Sequence, residues 1–114
     1  MIKLVLSDMD NTLVPFGARH ASPRTMEAIH AVLDAGVRFG PDTGRDYVEL
    51  MRFFRMDEEC FMTGIFSNGK RVRADGAYVQ TTLIDHDVLV RLDEVLRPEP
   101  GMFLVCYPAE TNLF

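Results

Sequence analysis

Two carboxylates, Asp8 and Asp10, follow directly on Ile2 to Ser7, an apolar run carrying a single lysine. At the end of an extended strand, side chains at that spacing project toward one point above the sheet edge. Two carboxylates so placed bind a hard divalent cation through oxygen, and magnesium is the natural ion where a phosphate supplies further ligands. The pair also suits covalent catalysis at phosphorus. One carboxylate attacks, while its neighbour protonates the leaving oxygen and then deprotonates the water that hydrolyses the aspartyl phosphate. The plain alternative is that Asp8, Asp10 and Asn11 only cap and turn the chain. Thr12-Leu13 behind the pair weighs against accident, because D-x-D-x-T-L arises by chance on the order of once in several hundred chains this short.

The elements that must carry these residues are legible from periodicity. Ile2 to Ser7 fits a strand buried on both faces, as parallel strands are. Ser22-Pro23 supplies an N-cap and a first-turn proline, Met26, Ile29, Val32 and Leu33 recur at helical spacing, and Gly36 closes the helix. Val37 to Phe39 reads as a second strand, parallel to the first through that helix. Asp42-Thr43-Gly44-Arg45 then forms a loop on the same sheet edge as Asp8, and Tyr47, Leu50, Met51 and Phe54 mark one face of a second helix. A short strand is expected near Phe61 to Thr63, followed by the turn Ser67-Asn68-Gly69. Asp75-Gly76 joins Arg71 to Arg73 and Ala77 to Thr82 as a hairpin. Asp85 to Leu96 reads as a third helix with Val88, Leu89, Leu92 and Val95 inward, and Met102 to Tyr107 as a last strand.

With 47% hydrophobic and 25% charged residues, the 114-residue chain can bury one modest core. A formal charge of -5 argues against a sequence-independent grip on nucleic acid, so an anionic substrate must be held locally. Cys60 and Cys106 lack metal or redox spacing and read as buried free thiols. His20, His30 and His86 have no paired ligand at fixed spacing and read as surface or helix-face residues. Nothing resembles a signal-peptide core or a membrane span, so no membrane association and a cytoplasmic setting are expected.

Leu4-Val5-Leu6-Ser7-Asp8-Met9-Asp10-Asn11-Thr12-Leu13-Val14 resembles the first motif of the haloacid dehalogenase superfamily, an apolar strand running into D-x-D-x-T. The resemblance implies an α/β fold: the first half of a Rossmann-like core, with a parallel sheet and helices, running into a partial α+β cap domain. It implies a Mg²⁺-dependent phosphatase in which Asp8 is nucleophile and metal ligand, and Asp10 is general acid and base, with its backbone carbonyl also on the metal. Thr43 stands where the superfamily places the residue that binds the transferring phosphoryl group. A hydroxyl with backbone amides at a helix N-terminus would cradle an anion without net positive charge. Ser22-Pro23-Arg24-Thr25, Thr43-Gly44-Arg45 and Ser67-Asn68-Gly69 look like the Cof-type sugar-phosphatase class. On that pattern Met9, Asp10, Thr43, Gly44, Arg45, Asn68 and Gly69 surround a small phosphorylated metabolite, although Asn68-Gly69 would serve equally as a plain turn. Residues 1–82 would belong to the core and 83–114 to the start of the cap.

The superfamily's downstream lysine and acidic pair have no counterpart here, since Lys3 precedes the first motif and Lys70 follows the Asn-Gly turn. If these residues were the whole protein, magnesium would bind weakly and activity would be low. The first strand would also offer an exposed apolar edge, a route to self-association. Gly40-Pro41-Asp42 departs from the family's apolar or small residues before Thr43. Three readings therefore stand: a phosphatase acting on a sugar phosphate-like monoester, a phosphosugar mutase sharing the first motif, and an inactive fragment or assembly module.

Overall fold

The computed structural model describes residues 1–106. The chain divides into two compact units, Met1–Thr81 and Thr82–Phe114. In the first, β1 (Leu4–Ser7), α1 (Pro23–Asp34) and β2 (Arg38–Pro41) form a strand, helix, strand unit. Its two strands are parallel, with Leu4 opposite Arg38 and Ser7 opposite Pro41. The helix begins where expected, because Ser22 Oγ accepts the Thr25 amide at 3.1 Å. It ends at Gly36, whose φ of 74° falls in the region open to glycine. Ile29 is buried, and Met26, Val32 and Leu33 pack against the core around it.

After α2 (Tyr47–Phe53), a 3₁₀ turn at Glu58–Cys60 leads into β3 (Gly64–Phe66). The third strand thus lies beyond Phe61 to Thr63, where periodicity places it. Phe61 is instead fully buried in an aromatic cluster, its ring 5.0 Å from Tyr47 and stacked on Phe54 at 5.7 Å. Burying each such ring contributes roughly 1.5–3 kcal/mol, enough to override a local strand preference. Thr63 Oγ1 accepts the Asp75 amide at 3.1 Å, so this stretch also supports the hairpin turn.

β3 continues into an antiparallel meander with β4 (Arg71–Ala74) and β5 (Ala77–Thr81). Asp75 and Gly76, at φ 50° and 84°, form the tight turn that Asp-Gly signals. Arg38 grips the Asp75 carboxylate with two hydrogen bonds of 2.8 and 2.7 Å, tying β2 to that turn and holding the Asp75 carboxyl below its usual range.

β3 also approaches β2. The Thr43 amide donates to the Ile65 carbonyl at 2.9 Å, and Asp42 bridges Ile65 in parallel sense. Gly40 and Gly64 make that approach achievable: a Cβ at Gly40 would lie 2.0 Å from the Thr63 carbonyl oxygen, and one at Gly64 would lie 2.7 Å from that of Pro41. Pro41 is tolerated because the amides of Arg38 and Asp42 serve β1, while its own missing donor falls on the β3 side, where the pairing is a single bridge.

Four further expectations need correction. β1 is not buried on both faces: Leu4 and Leu6 are 45% and 40% exposed, because β1 pairs only with β2 among the described residues and only Val5 packs against the core. In the second unit, α3 (His86–Leu96) forms as expected, but Val88, Leu92 and Val95 are exposed and Leu89 is half-buried, so its apolar stripe is uncovered. Met102 to Cys106 adopt no regular structure, and Tyr107 lies outside the described residues. A lone strand without a hydrogen-bonding neighbour has nothing to satisfy its backbone groups. Cys60 is buried as expected, whereas Cys106 is exposed.

Candidate active site

Because β1, β2 and β3 run in one direction, the loops leaving their C-terminal ends share one sheet edge, where open α/β sheets bind ligands. The loop after β1 is a tight knot. The Met9 carbonyl accepts the amides of Thr12, Leu13 and Val14 at 3.3, 3.0 and 3.0 Å, and Asn11 takes a left-handed φ of 63°. Asn11 Oδ1 accepts the Phe16 amide at 3.0 Å, which completes the turn. Met9 is fully buried, main chain included, and its side chain belongs to the core. Asp8 is exposed, and its Oδ2 accepts the Thr12 hydroxyl at 3.2 Å. The threonine of the motif therefore orients the carboxylate four residues before it.

Asp10 is oriented from across the fold. Arg45 Nη2 donates to Asp10 Oδ1 and Oδ2 at 3.0 and 3.2 Å, with its guanidinium 5.8 Å from the Phe53 ring. Arg45 Nε is buried without a partner, leaving a donor at the rim of this loop cluster. The residue that holds the second carboxylate is thus the arginine of Thr43-Gly44-Arg45, 35 positions downstream.

Thr43 is buried, and its Oγ1 accepts the Arg45 amide at 3.1 Å, which leaves its own O–H free to donate. The expected cradle at a helix N-terminus takes a different form. α2 starts four residues later, and its first turn is occupied by carboxylates: Glu49 Oε2 accepts the Asp46 amide at 3.0 Å, while Asp46 accepts Ser67 Oγ at 3.0 Å and Arg71 Nη1 at 3.3 Å. Those acids satisfy the helix end that would otherwise attract an anion. What remains for a phosphate is the Thr43 hydroxyl and the Gly44-Arg45 turn.

Asn68 joins this turn. The Asn68 amide donates to the Thr43 carbonyl at 3.1 Å, and the Ser67 amide to the Arg45 carbonyl at 3.0 Å. Ser67, Asn68 and Gly69 all have positive φ, of 51°, 55° and 84°. The Asn68 carboxamide lies so close over Gly44 that a Cβ there would meet its Oδ1 at 3.0 Å. The structure therefore brings Asp10, Thr43, Gly44, Arg45 and Asn68 into one network, with Asp8 on the adjoining loop, while Gly69 follows Asn68 in its turn and meets none of the other residues. Sequence reasoning left out Thr12, Ser67, Asp46 and Arg71 as its supports. Thr12 and Ser67 were marked by their motifs, whereas Asp46 and Arg71 carry no local signal.

An α/β sheet with acid, hydroxyl and arginine side chains gathered at its strand ends defines the core of a hydrolase. A family model described as haloacid dehalogenase-like hydrolase matches residues 5–111, and the chain belongs to that family. Among solved structures, a Bacteroides thetaiotaomicron phosphatase of the haloalkanoate dehalogenase superfamily is 27% identical with a TM-score of 0.64, over 86% of this chain and 36% of its own. A Eubacterium rectale protein is 27% identical with a TM-score of 0.68, over 85% of this chain and 37% of its own. A haloacid dehalogenase-like hydrolase of Bacillus subtilis shares the fold at 23% identity, with a TM-score of 0.65 over 86% of this chain and 34% of its own. The chain thus spans about a third of the length of these structures. No curated protein sequence matches it.

Proposed function

We propose that this chain carries the phosphoryl-accepting half of a Mg²⁺-dependent phosphatase of the Cof-type class, acting on a small phosphate monoester such as a sugar phosphate. In this reading residues 83–114 begin a cap domain, Asp8 is the nucleophile and Asp10 the general acid and base. The observation that supports it best is the Arg45 link, which ties the Asp10 carboxylate to the Thr43, Gly44 and Asn68 network at the sheet edge. Asp8 O attacks phosphorus as the ester P–O bond breaks, while the Thr43 hydroxyl and the Gly44-Arg45 turn hold the transferring group. Asp10, protonated once Arg45 turns from it to the phosphate, gives its proton to the leaving oxygen and then takes one from the water that hydrolyses the aspartyl phosphate. Arg45 supplies positive charge where the net charge of the chain is unhelpful.

The donor set suits magnesium, since exposed carboxylate oxygens on a rigid turn are hard ligands. The Asp8 carboxylate and the Asp10 backbone carbonyl would hold the ion, which when bound neutralises charge on the phosphate oxygens. No third acidic, His or Cys side chain closes a group with these two among the described residues, which favours weak binding. The direct test is fluoroberyllate, a mimic of the aspartyl phosphate, followed by ¹⁹F NMR. Mg²⁺-dependent protein-bound signals are expected for the chain and not for Asp8→Asn, and their absence from both would favour an assembly module without catalysis.

Arg45→Ala is expected to weaken inhibition by inorganic phosphate roughly 10- to 100-fold, the range for a hydrogen bond to a charged group. Arg45→Lys should restore little, because an ammonium has neither a planar face to set against Phe53 nor a second nitrogen to reach phosphate as the first leaves Asp10. Competitive inhibition constants for the three proteins check this.

The open edge of β1, with Ile2, Leu4 and Leu6 exposed, is an apolar template for pairing with a second copy. Sedimentation velocity should show concentration-dependent association that Leu4→Lys suppresses. A strictly monomeric chain at all concentrations would remove this reading.

A further inference from the structure

His30, Asp57 and Cys60 come together away from the strand-end loops. His30 lies on α1, Asp57 precedes the 3₁₀ turn, and Cys60 ends it. One ligand atom from each lies within 4.8 Å of the other two, the one such group of three among the described residues. His30 Nε2 is 2.7 Å from Asp57 Oδ2, and the buried Cys60 thiol lies within 4.8 Å of both. We infer that these three side chains form a binding site for a borderline-soft divalent cation of the zinc class.

Donor chemistry selects the ion. A thiolate, an imidazole and one carboxylate are the ligands of zinc or cobalt, whereas magnesium and calcium require oxygen. Zinc bonds of about 2.0–2.3 Å in tetrahedral geometry put ligand atoms roughly 3.3–3.7 Å apart. The spread of the three atoms brackets that range, and the Asp57 carboxylate needs only a small outward swing from His30.

A second observation points the same way. With Nε2 toward the cluster, His30 Nδ1 faces Glu59 Oε2 at 3.6 Å. A carboxylate on the far nitrogen is the usual outer support of a metal-bound histidine. Glu59, at ion-pair distance and on an exposed side chain, needs to close by only a few tenths of an ångström to accept that N–H. Glu59 is thereby turned away from the ion, so the fourth position is left to water.

The protons balance. In the metal-free cluster the hydrogen bond between His30 and Asp57, helped by the carboxylate's charge, holds His30 above the ordinary histidine pKa. Burial first, and then the Asp57 charge, pushes the Cys60 thiol up to about 12. On binding, the Cys60 S–H bond breaks and its proton goes to solvent, as does the Nε2 proton of an imidazolium. A divalent ion then replaces two unit charges, and the cluster's net charge is unchanged. Ligation fastens α1 to the turn that precedes β3.

Cobalt titration of the purified chain tests the site. A near-ultraviolet thiolate-to-cobalt charge-transfer band with intense four-coordinate visible bands is expected, displaced by Zn²⁺ and not by Mg²⁺. His30→Gln, at a partly exposed position, should weaken cobalt at least about 100-fold, and Glu59→Gln about 10-fold, spanning the loss typical of outer partners. Cys60→Ser should abolish the charge-transfer band, and Cys106→Ser should leave it intact. A missing band at saturating cobalt would overturn the proposal, reducing the cluster to a hydrogen-bonded pin. A band lost in Cys106→Ser, or unaffected by His30→Gln, would overturn it equally.

Discussion

Asp8→Asn is expected to lower Mg²⁺-dependent release of phosphate from a chromogenic ester by roughly 10³-fold or more, the scale seen when a covalent nucleophile is removed. The substitution is nearly isosteric, and the Asp8 side chain is exposed, its carboxylate accepting the Thr12 hydroxyl. An amide oxygen can still accept that hydrogen bond, so the loop after β1 should keep its shape. Stability should therefore change by well under 1 kcal/mol, as at most surface positions. Loss of turnover with an unchanged melting curve separates a chemical role from a structural one. Turnover retained in Asp8→Asn would remove the nucleophile assignment and, with it, the covalent route.

The opposite signature is expected at Gly40, which no catalytic pattern singles out. A Cβ there would lie 2.0 Å from the Thr63 carbonyl oxygen and 2.6 Å from its carbon. Both are backbone atoms, so no side-chain rotation can relieve the overlap, and β2 must separate from β3. Gly40→Ala should cost about 3 kcal/mol or more, at or above the usual range for overpacking. With a urea slope of about 1–3 kcal/mol per molar, the midpoint falls by about 1 to 3 M. Fluoroberyllate binding should fall with it, since β3 carries Asn68 to the site. Gly44→Ala provides the contrast, because its new methyl meets only the Asn68 carboxamide, a side chain able to move. An unshifted midpoint in Gly40→Ala would show that the two strands do not meet as described.

These two positions mark how differently the parts of the molecule can be read. Ser22-Pro23 and Gly36 bound α1 as their chemistry dictates, and Asp75-Gly76 turns the hairpin, because caps and turns depend on residues within about four positions of one another. The same holds for the acid pair, whose loop is closed by Asn11, Thr12 and Val14. The parallel pairing of β1 with β2 followed from the strand, helix, strand spacing. Placement of the third strand did not. Its start slipped to Gly64 because Phe61 was drawn into a cluster with Tyr47 and Phe54.

Local chemistry along the chain was therefore enough for the α/β class, the family and the choice of Asp8, Asp10 and Thr43 as a set worth testing. Only the folded chain decides that Arg45 grips Asp10, that the α2 end is filled by its own acids, that Gly40 underlies the strand contact, and that His30 meets Asp57 and Cys60. Each of those contacts joins residues that periodicity and capping cannot relate, or balances a local preference against burial elsewhere. Their partners are set by how helices and strands pack, and that depends on the whole core at once.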